Sequence, residues 1–162
     1  MVYVKNNIPH RQLKEYSGSY ERIDYITIEI STRYGIWNVV YLYRPPNVRE
    51  KLYLDFLSDL CETILPKGKL SLFFGDMNFN QCVNNSLTDV CDIYGLTNLV
   101  KDPTCFKANN PTLLDVFLTD KPSSFSGHLN CDIGISDFHN FICVASKMNA
   151  PIISKGAFST EV

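Results

Sequence analysis

The sequence lacks several things that would place it quickly. It has no apolar run of roughly 18 residues or more, so no membrane-spanning helix is expected. Its first residues, Met-Val-Tyr-Val-Lys-Asn-Asn, show no basic region followed by an apolar stretch, and no secretory signal is read there. None of the six cysteines forms a Cys-x-x-Cys pair. They read as reduced thiols of an intracellular chain, in nucleus or cytoplasm. There is no excess of positive charge: 15 Lys and Arg stand against 17 Asp and Glu, a net charge of −2. Any nucleic-acid binding must therefore use local charge. There is no Gly-x-Ser-x-Gly elbow, no His-Glu-x-x-His and no phosphate-binding Gly-Lys-Ser/Thr loop. Internal repeats and low-complexity segments are also missing.

What is present is an ordinary globular composition: 162 residues, 45% hydrophobic and 20% charged. That length fits one domain, over residues 1–147, with 148–162 as a small, polar, flexible tail. Val2 to Lys5 reads as a short edge strand. Ile26 to Ile30 alternates apolar and polar residues, and Ile36 to Tyr43 is β-branched and aromatic, so the two predict an antiparallel hairpin. Pro45 and Pro46 stop it. The period then changes. Leu52, Phe56, Leu57, Leu60 and Ile64 predict an amphipathic helix over 49–65, ended by Pro66 and Gly68. Lys69 to Phe74 is a short apolar strand. Leu87, Val90, Cys91 and Tyr94 share a helical face, with Asn85 or Ser86 to cap it and Gly95 after its end. Leu113 to Leu118 and Asn140 to Ala145 complete the strands. Cys61, Cys91 and Cys143 fall on apolar faces and read as buried small hydrophobes. A zinc site from Cys105, His128 and Cys131 would lack finger-like ligand spacing. Strands and helices in this order predict a layered α/β or α+β fold.

Four segments carry chemistry at strand ends. In Gly75-Asp76-Met77-Asn78, a carboxylate and an amide two residues apart can face one cavity. Asp76 can deprotonate a water and Asn78 can donate to a developing anion. The same residues also suit a plain polar turn. Asp115 lies inside an apolar strand, where a carboxylate needs a hydrogen-bond partner or a metal. In Ser136-Asp137-Phe138-His139 a carboxylate near an imidazole can set its tautomer; a solvated turn is the simpler alternative. Tyr43 offers a polar tip at a strand end, and Arg44 can hold a phosphate bidentately or remain solvated.

In order, Tyr-Arg-Pro-Pro, a helix, Gly-Asp-x-Asn, Leu-Leu-Asp in a strand and Ser-Asp-x-His resemble the endonuclease/exonuclease/phosphatase superfamily. The stretches Val-Tyr-Val-Lys-Asn-Asn-Ile-Pro, Tyr-Leu-Tyr-Arg-Pro-Pro-Asn, Leu-Phe-Phe-Gly-Asp-Met-Asn-Phe-Asn and Gly-Ile-Ser-Asp-Phe-His-Asn-Phe-Ile-Cys look most like the apurinic-like endonuclease domain of non-LTR retrotransposons. The similarity covers about residues 1–147. It implies an α/β, four-layered sandwich of two mixed sheets flanked by helices, here partial and lacking its N-terminal strands.

The resemblance also implies Mg²⁺ or Mn²⁺, phosphodiester hydrolysis and DNA as partner, with a reverse transcriptase domain in a longer parent polyprotein. By resemblance Asp76 activates the attacking water, Asn78 helps hold that water and the phosphate, and Tyr43 contacts the scissile phosphate. Asp115 is a structural or phosphate-side acid at the cleft. Asp137 orients the histidine or helps at the metal, and His139 stabilises charge in the transition state. Arg44, Asp115 and Ser136 complete the substrate side; Asp76, Asn78 and Asp137 are the metal ligands.

Two departures stand out. The family commonly reads Ser-Asp-His, whereas Phe138 here separates Asp137 from His139. In extended chain that displacement turns the imidazole to the opposite face, unless a local bulge restores it. The family's metal-binding Glu also has no match among the Glu residues here, so metal binding is expected to be weak. Lys5, Arg11, Lys14 and Arg44 could supply local charge toward DNA. The alternatives to a DNA endonuclease are a non-catalytic remnant of such a domain and a phosphatase of the same superfamily.

Overall fold

A computed structural model describes residues 2–33, 35–65, 69–107 and 110–147. Pro66, Gly68 and the predicted tail lie outside the described residues. The strands are β1 (His10–Gln12), β2 (Gly18–Tyr20), β3 (Ile23–Thr32), β4 (Gly35–Tyr43), β5 (Leu70–Asp76), β6 (Thr97–Asn98), β7 (Asp115–Thr119), β8 (Phe125–Cys131) and β9 (Phe141–Ser146). The helices are α1 (Glu50–Ile64) and α2 (Ser86–Tyr94). No helix is long and apolar enough to cross a membrane, among the described residues.

The fold is α/β, with a mixed seven-stranded sheet and a two-stranded antiparallel one. The larger sheet runs β1-β3-β4-β5-β7-β6, with β2 also paired to β3. β3 and β4 form the predicted antiparallel hairpin, β4 and β5 run parallel, and β5 and β7 run antiparallel. α1 supplies the crossover that a parallel β4–β5 pair requires.

Alternation along the strands separates the two faces of this sheet. Val40, Leu42, Phe73, Val116 and Leu118 are buried with Tyr53, Leu57, Leu60, Cys61 and Ile64 of α1 and with Leu87, Val90 and Cys91 of α2. Each such apolar side chain taken fully from water contributes about 1.5–3 kcal/mol, and this is the main core. The opposite face carries Trp37, Tyr41, Phe74 and Phe117. Trp37 meets Phe125 of β8 edge-on, and Phe74 packs against both Tyr41 and Phe117. The β8–β9 pair therefore covers part of the face turned away from the helices.

Local chemistry explains the elements that were legible. Asn85 caps α2, its side chain accepting from the backbone N–H groups of Leu87 and Thr88, while Thr88 answers the Asn85 N–H. Gly95 ends α2 in the left-handed conformation.

Two expectations fail, for Val2 to Lys5 and for Cys143. Val2 to Lys5 is not a strand; the first strand is β1. β8, with its Gly and scattered polar residues, shows no alternation and exists because β9 pairs with it. Cys61 and Cys91 are buried, with both thiols pushed up to about 12 by burial. Cys143 is exposed, because it shares the outward face of β9 with Phe141.

Candidate active site

The site begins with Gly75. Its φ of +137° is closed to other residues, and a Cβ there would lie 1.9 Å from the Leu42 carbonyl oxygen. This close approach lets the end of β5 turn against β4 and present Asp76. Asp76 and Asp115 are register partners on antiparallel β5 and β7, so they stand side by side. His139 arrives from the segment before β9, and its Nδ1 lies 2.9 Å from Asp115 Oδ2. Ligand atoms of Asp76, Asp115 and His139 all fall within 4.8 Å of one another, the one such group of metal-capable side chains among the described residues. Cys105, His128 and Cys131 form no such group there.

The Phe138 displacement does not turn His139 away. Asp137 and Phe138 form a bend between Ser136 and His139. Ser136 Oγ accepts the backbone N–H groups of Phe138 (3.3 Å) and His139 (3.1 Å), and His139 bridges to Cys105 through the main chain. That capped bend, not a bulge, brings the imidazole to the cleft. Ser136 is occupied by this turn. Asp137 is exposed and outside the three-residue group.

Thr104 is a site residue that no local motif marked. Fully buried, it donates to Asp115 Oδ2 at 2.7 Å and accepts the N–H groups of Leu114 and Asp115. The hydroxyl and the imidazole thus converge on one carboxylate oxygen. If Nδ1 carries the proton, Asp115 fixes that tautomer and leaves Nε2 for chemistry.

Asn78 holds a left-handed backbone with φ 52°. Its N–H donates to Asp76 Oδ1 at 3.0 Å, and its side-chain amide donates to the Arg44 carbonyl at 2.7 Å. The Asp76 carboxyl is raised above the usual range. Burial is the main cause and the Asp115 charge adds to it; the Asn78 N–H and His139 oppose it. Tyr43 is half-buried at the end of β4. Tyr41, two residues earlier on the same face, feels the Asp76, Asp24 and Asp115 charges and has its phenol raised, chiefly by burial. The alternation of β4 could have marked Tyr41 as a partner of Tyr43.

Arg44 does not face the cleft as a phosphate holder would. It is buried, with its guanidinium on backbone carbonyls. Arg11 is paired with Glu29. Of the four cations read as a DNA-facing set, Lys5 and Lys14 remain exposed without an ion pair among the described residues.

The donor set suits a hard divalent cation. Two carboxylates held together at the end of the sheet, one raised by its surroundings, are the arrangement a cation would relieve. Mg²⁺ keeps several waters and needs few protein ligands, so two carboxylates and an imidazole fit it.

No protein-family model matches the sequence, and no curated protein does. Solved structures do match. The endonuclease domain of TRAS1, a telomere-specific non-LTR retrotransposon, superposes with a TM-score of 0.72 at 19% identity, over 86% of this chain and 67% of that domain. An endonuclease/exonuclease/phosphatase family protein from Leptotrichia buccalis gives 0.56 at 15% identity, over 76% of this chain and 52% of that one. Beta toxin from Staphylococcus aureus gives 0.52 at 14% identity, over 76% of this chain and 57% of that one. The chain thus spans two thirds of the first structure and little more than half of the other two. At these identities the likeness is one of fold alone: the chain shares its fold with the TRAS1 endonuclease domain and with the Leptotrichia buccalis protein.

Proposed function

We propose that the chain is a divalent-metal-dependent phosphodiester hydrolase that nicks DNA, of the retrotransposon endonuclease kind. The observation that carries this reading is the convergence of Asp76, Asp115 and His139 at one end of the sheet. The fold shared with a retrotransposon endonuclease domain supports it.

Asp76 and Asn78 are the residues that would hold Mg²⁺ or Mn²⁺, with Asp115 beside them. When bound, the cation supplies Lewis-acid stabilisation of phosphate charge and a more acidic water. The chain's own groups do the rest. Asp76 takes a proton from the attacking water. Asn78 orients that water. His139, held by Asp115 through Nδ1, stabilises the growing charge on the phosphate when its ring also carries a proton on Nε2 and donates it in a hydrogen bond. Tyr43 contacts a phosphate oxygen from β4. Asp137 and Ser136 act on the turn that carries His139. In this reading the parent polyprotein carries a reverse transcriptase domain and works where chromosomal DNA or its transcript is found, in nucleus or cytoplasm.

The test is nicking of supercoiled plasmid with Mg²⁺ or Mn²⁺, with EDTA and Asp76→Ala as controls, beside a panel of phosphomonoesters and phosphorylated lipids. The expected result is nicked circles that both controls abolish. EDTA-insensitive cleavage, or cleavage by Asp76→Ala, overturns the mechanism. Turnover of phosphomonoesters without nicking assigns a phosphatase. No turnover of either by a folded chain assigns a remnant.

A further inference from the structure

Arg44 is the most deeply buried charged side chain among the described residues, 4% exposed. It forms no ion pair among them. A buried cation without a counter-ion needs other compensation, and here backbone carbonyls supply it. Val48 O accepts from Nε (3.2 Å) and Nη2 (2.8 Å); Nη1 donates to Met77 O (3.3 Å) and Asn78 O (2.9 Å). The guanidinium carbon sits 4.4 Å from the centroid of the Phe79 ring.

The contacts with Met77, Asn78 and Phe79 fall on the segment directly after Asp76. Asn78 there adopts φ 52°, a left-handed backbone uncommon for a residue other than glycine. Something must hold it. Arg44 does so from both ends: its guanidinium binds the Asn78 carbonyl, and its own carbonyl receives the Asn78 side-chain amide. The main chain completes the link, with Arg44 N–H donating to Asp76 O at 3.0 Å and Asn78 N–H to Asp76 Oδ1 at 3.0 Å.

We infer that Arg44 is a positioning residue, whose buried guanidinium fixes the left-handed turn at Asn78 and through it the direction of the Asp76 carboxylate. Lysine cannot replace it. A single ammonium has no planar fork to span the carbonyls of Val48, Met77 and Asn78 at once. The kinetic part of this inference rests on the hydrolase reading; the structural part does not.

The test compares wild type with Arg44→Lys and with Arg44→Gln, which brings no charge into the pocket. Amide hydrogen exchange comes first. The expected result is exchange at Asn78 faster by roughly tenfold or more, with β3 amides such as Ile28 unchanged. Unchanged protection at Asn78, or uniform loss across β3 in both variants, overturns the inference, the latter because it leaves Arg44 only a general stabilising role. Nicking kinetics come second. Arg44→Lys should lower kcat about tenfold with little change in KM, and combining it with Asn78→Ala should cost no more than Asn78→Ala alone. Independent, multiplying effects, or a raised KM at unchanged kcat, overturn it in favour of a separate role or direct phosphate contact. If wild type does not nick, the hydrolase reading fails, and the exchange measurement alone decides the role of Arg44.

Discussion

Asp76 and Asp115 face each other across the antiparallel β5–β7 ladder. Like charges directly opposite on a sheet are destabilising, yet here the surrounding residues hold them in place. Gly75 turns the first against β4, while Thr104 and His139 bind the second.

The stability of the protein should carry the mark of this pair. Asp76 has a folded-state carboxyl raised above its unfolded value, mainly by burial. Between those two values the native state binds the extra proton, so stability falls as pH rises through the raised value. Asp76→Asn keeps an acceptor for the Asn78 N–H and removes the charge. It should raise Tm at neutral pH by about 2 °C, a gain that fades as pH drops below the ordinary Asp range. Thermal melts across pH check this; a lower Tm at neutral pH contradicts it.

Glu29 should show the opposite sign. Hydrogen bonds from Arg11 and then Lys69 hold its carboxyl below the usual range. Its contribution is complete above the ordinary Glu value and is lost as pH falls through the lowered one. Glu29→Gln should lower Tm at neutral pH by about 2 °C, and the gap to wild type should close in acid. Much of Arg11 is exposed, so salt should shrink the gap too.

Asp115 orients His139, so removing its charge should cost turnover more than folding. Asp115→Asn is expected to lower nicking about 10–100-fold, with Tm nearly unchanged because Thr104 can still bind the amide oxygen. Plasmid nicking under single-turnover conditions measures it. A Tm collapse would make Asp115 structural instead.

Gly95 and Gly75, both with positive φ, provide a contrast. Gly95→Ala meets nothing within 4 Å and bears only the backbone cost, about 1 kcal/mol. Gly75→Ala also drives a methyl into the Leu42 carbonyl. It should lose about 3 kcal/mol or more and with it the placement of Asp76. Urea denaturation of both variants tests the difference, and equal losses would contradict the close approach.

Much of this was legible in the chain itself. The hairpin of β3 and β4, the amphipathic α1, and the Asn85 and Gly95 ends of α2 follow from periodicity and capping, which act over a few residues. The order of Tyr43, Asp76, Asn78, Asp115 and His139 was also readable. What those residues do together was not. Whether His139 reached the cleft depended on a bend that Ser136 caps, and on a main-chain bridge to Cys105 from a distant loop. Thr104 sits in no motif and became a site residue only because its loop packs on the start of β7. Arg44 looked like a phosphate ligand until the turn after β5 closed over it. Sequence determined the local elements and the chemical inventory, because helix, strand and cap preferences are short-range. Tertiary structure decided which of those groups meet, because a carboxylate, an imidazole and a hydroxyl from separate segments are brought together only when the sheet fixes its register.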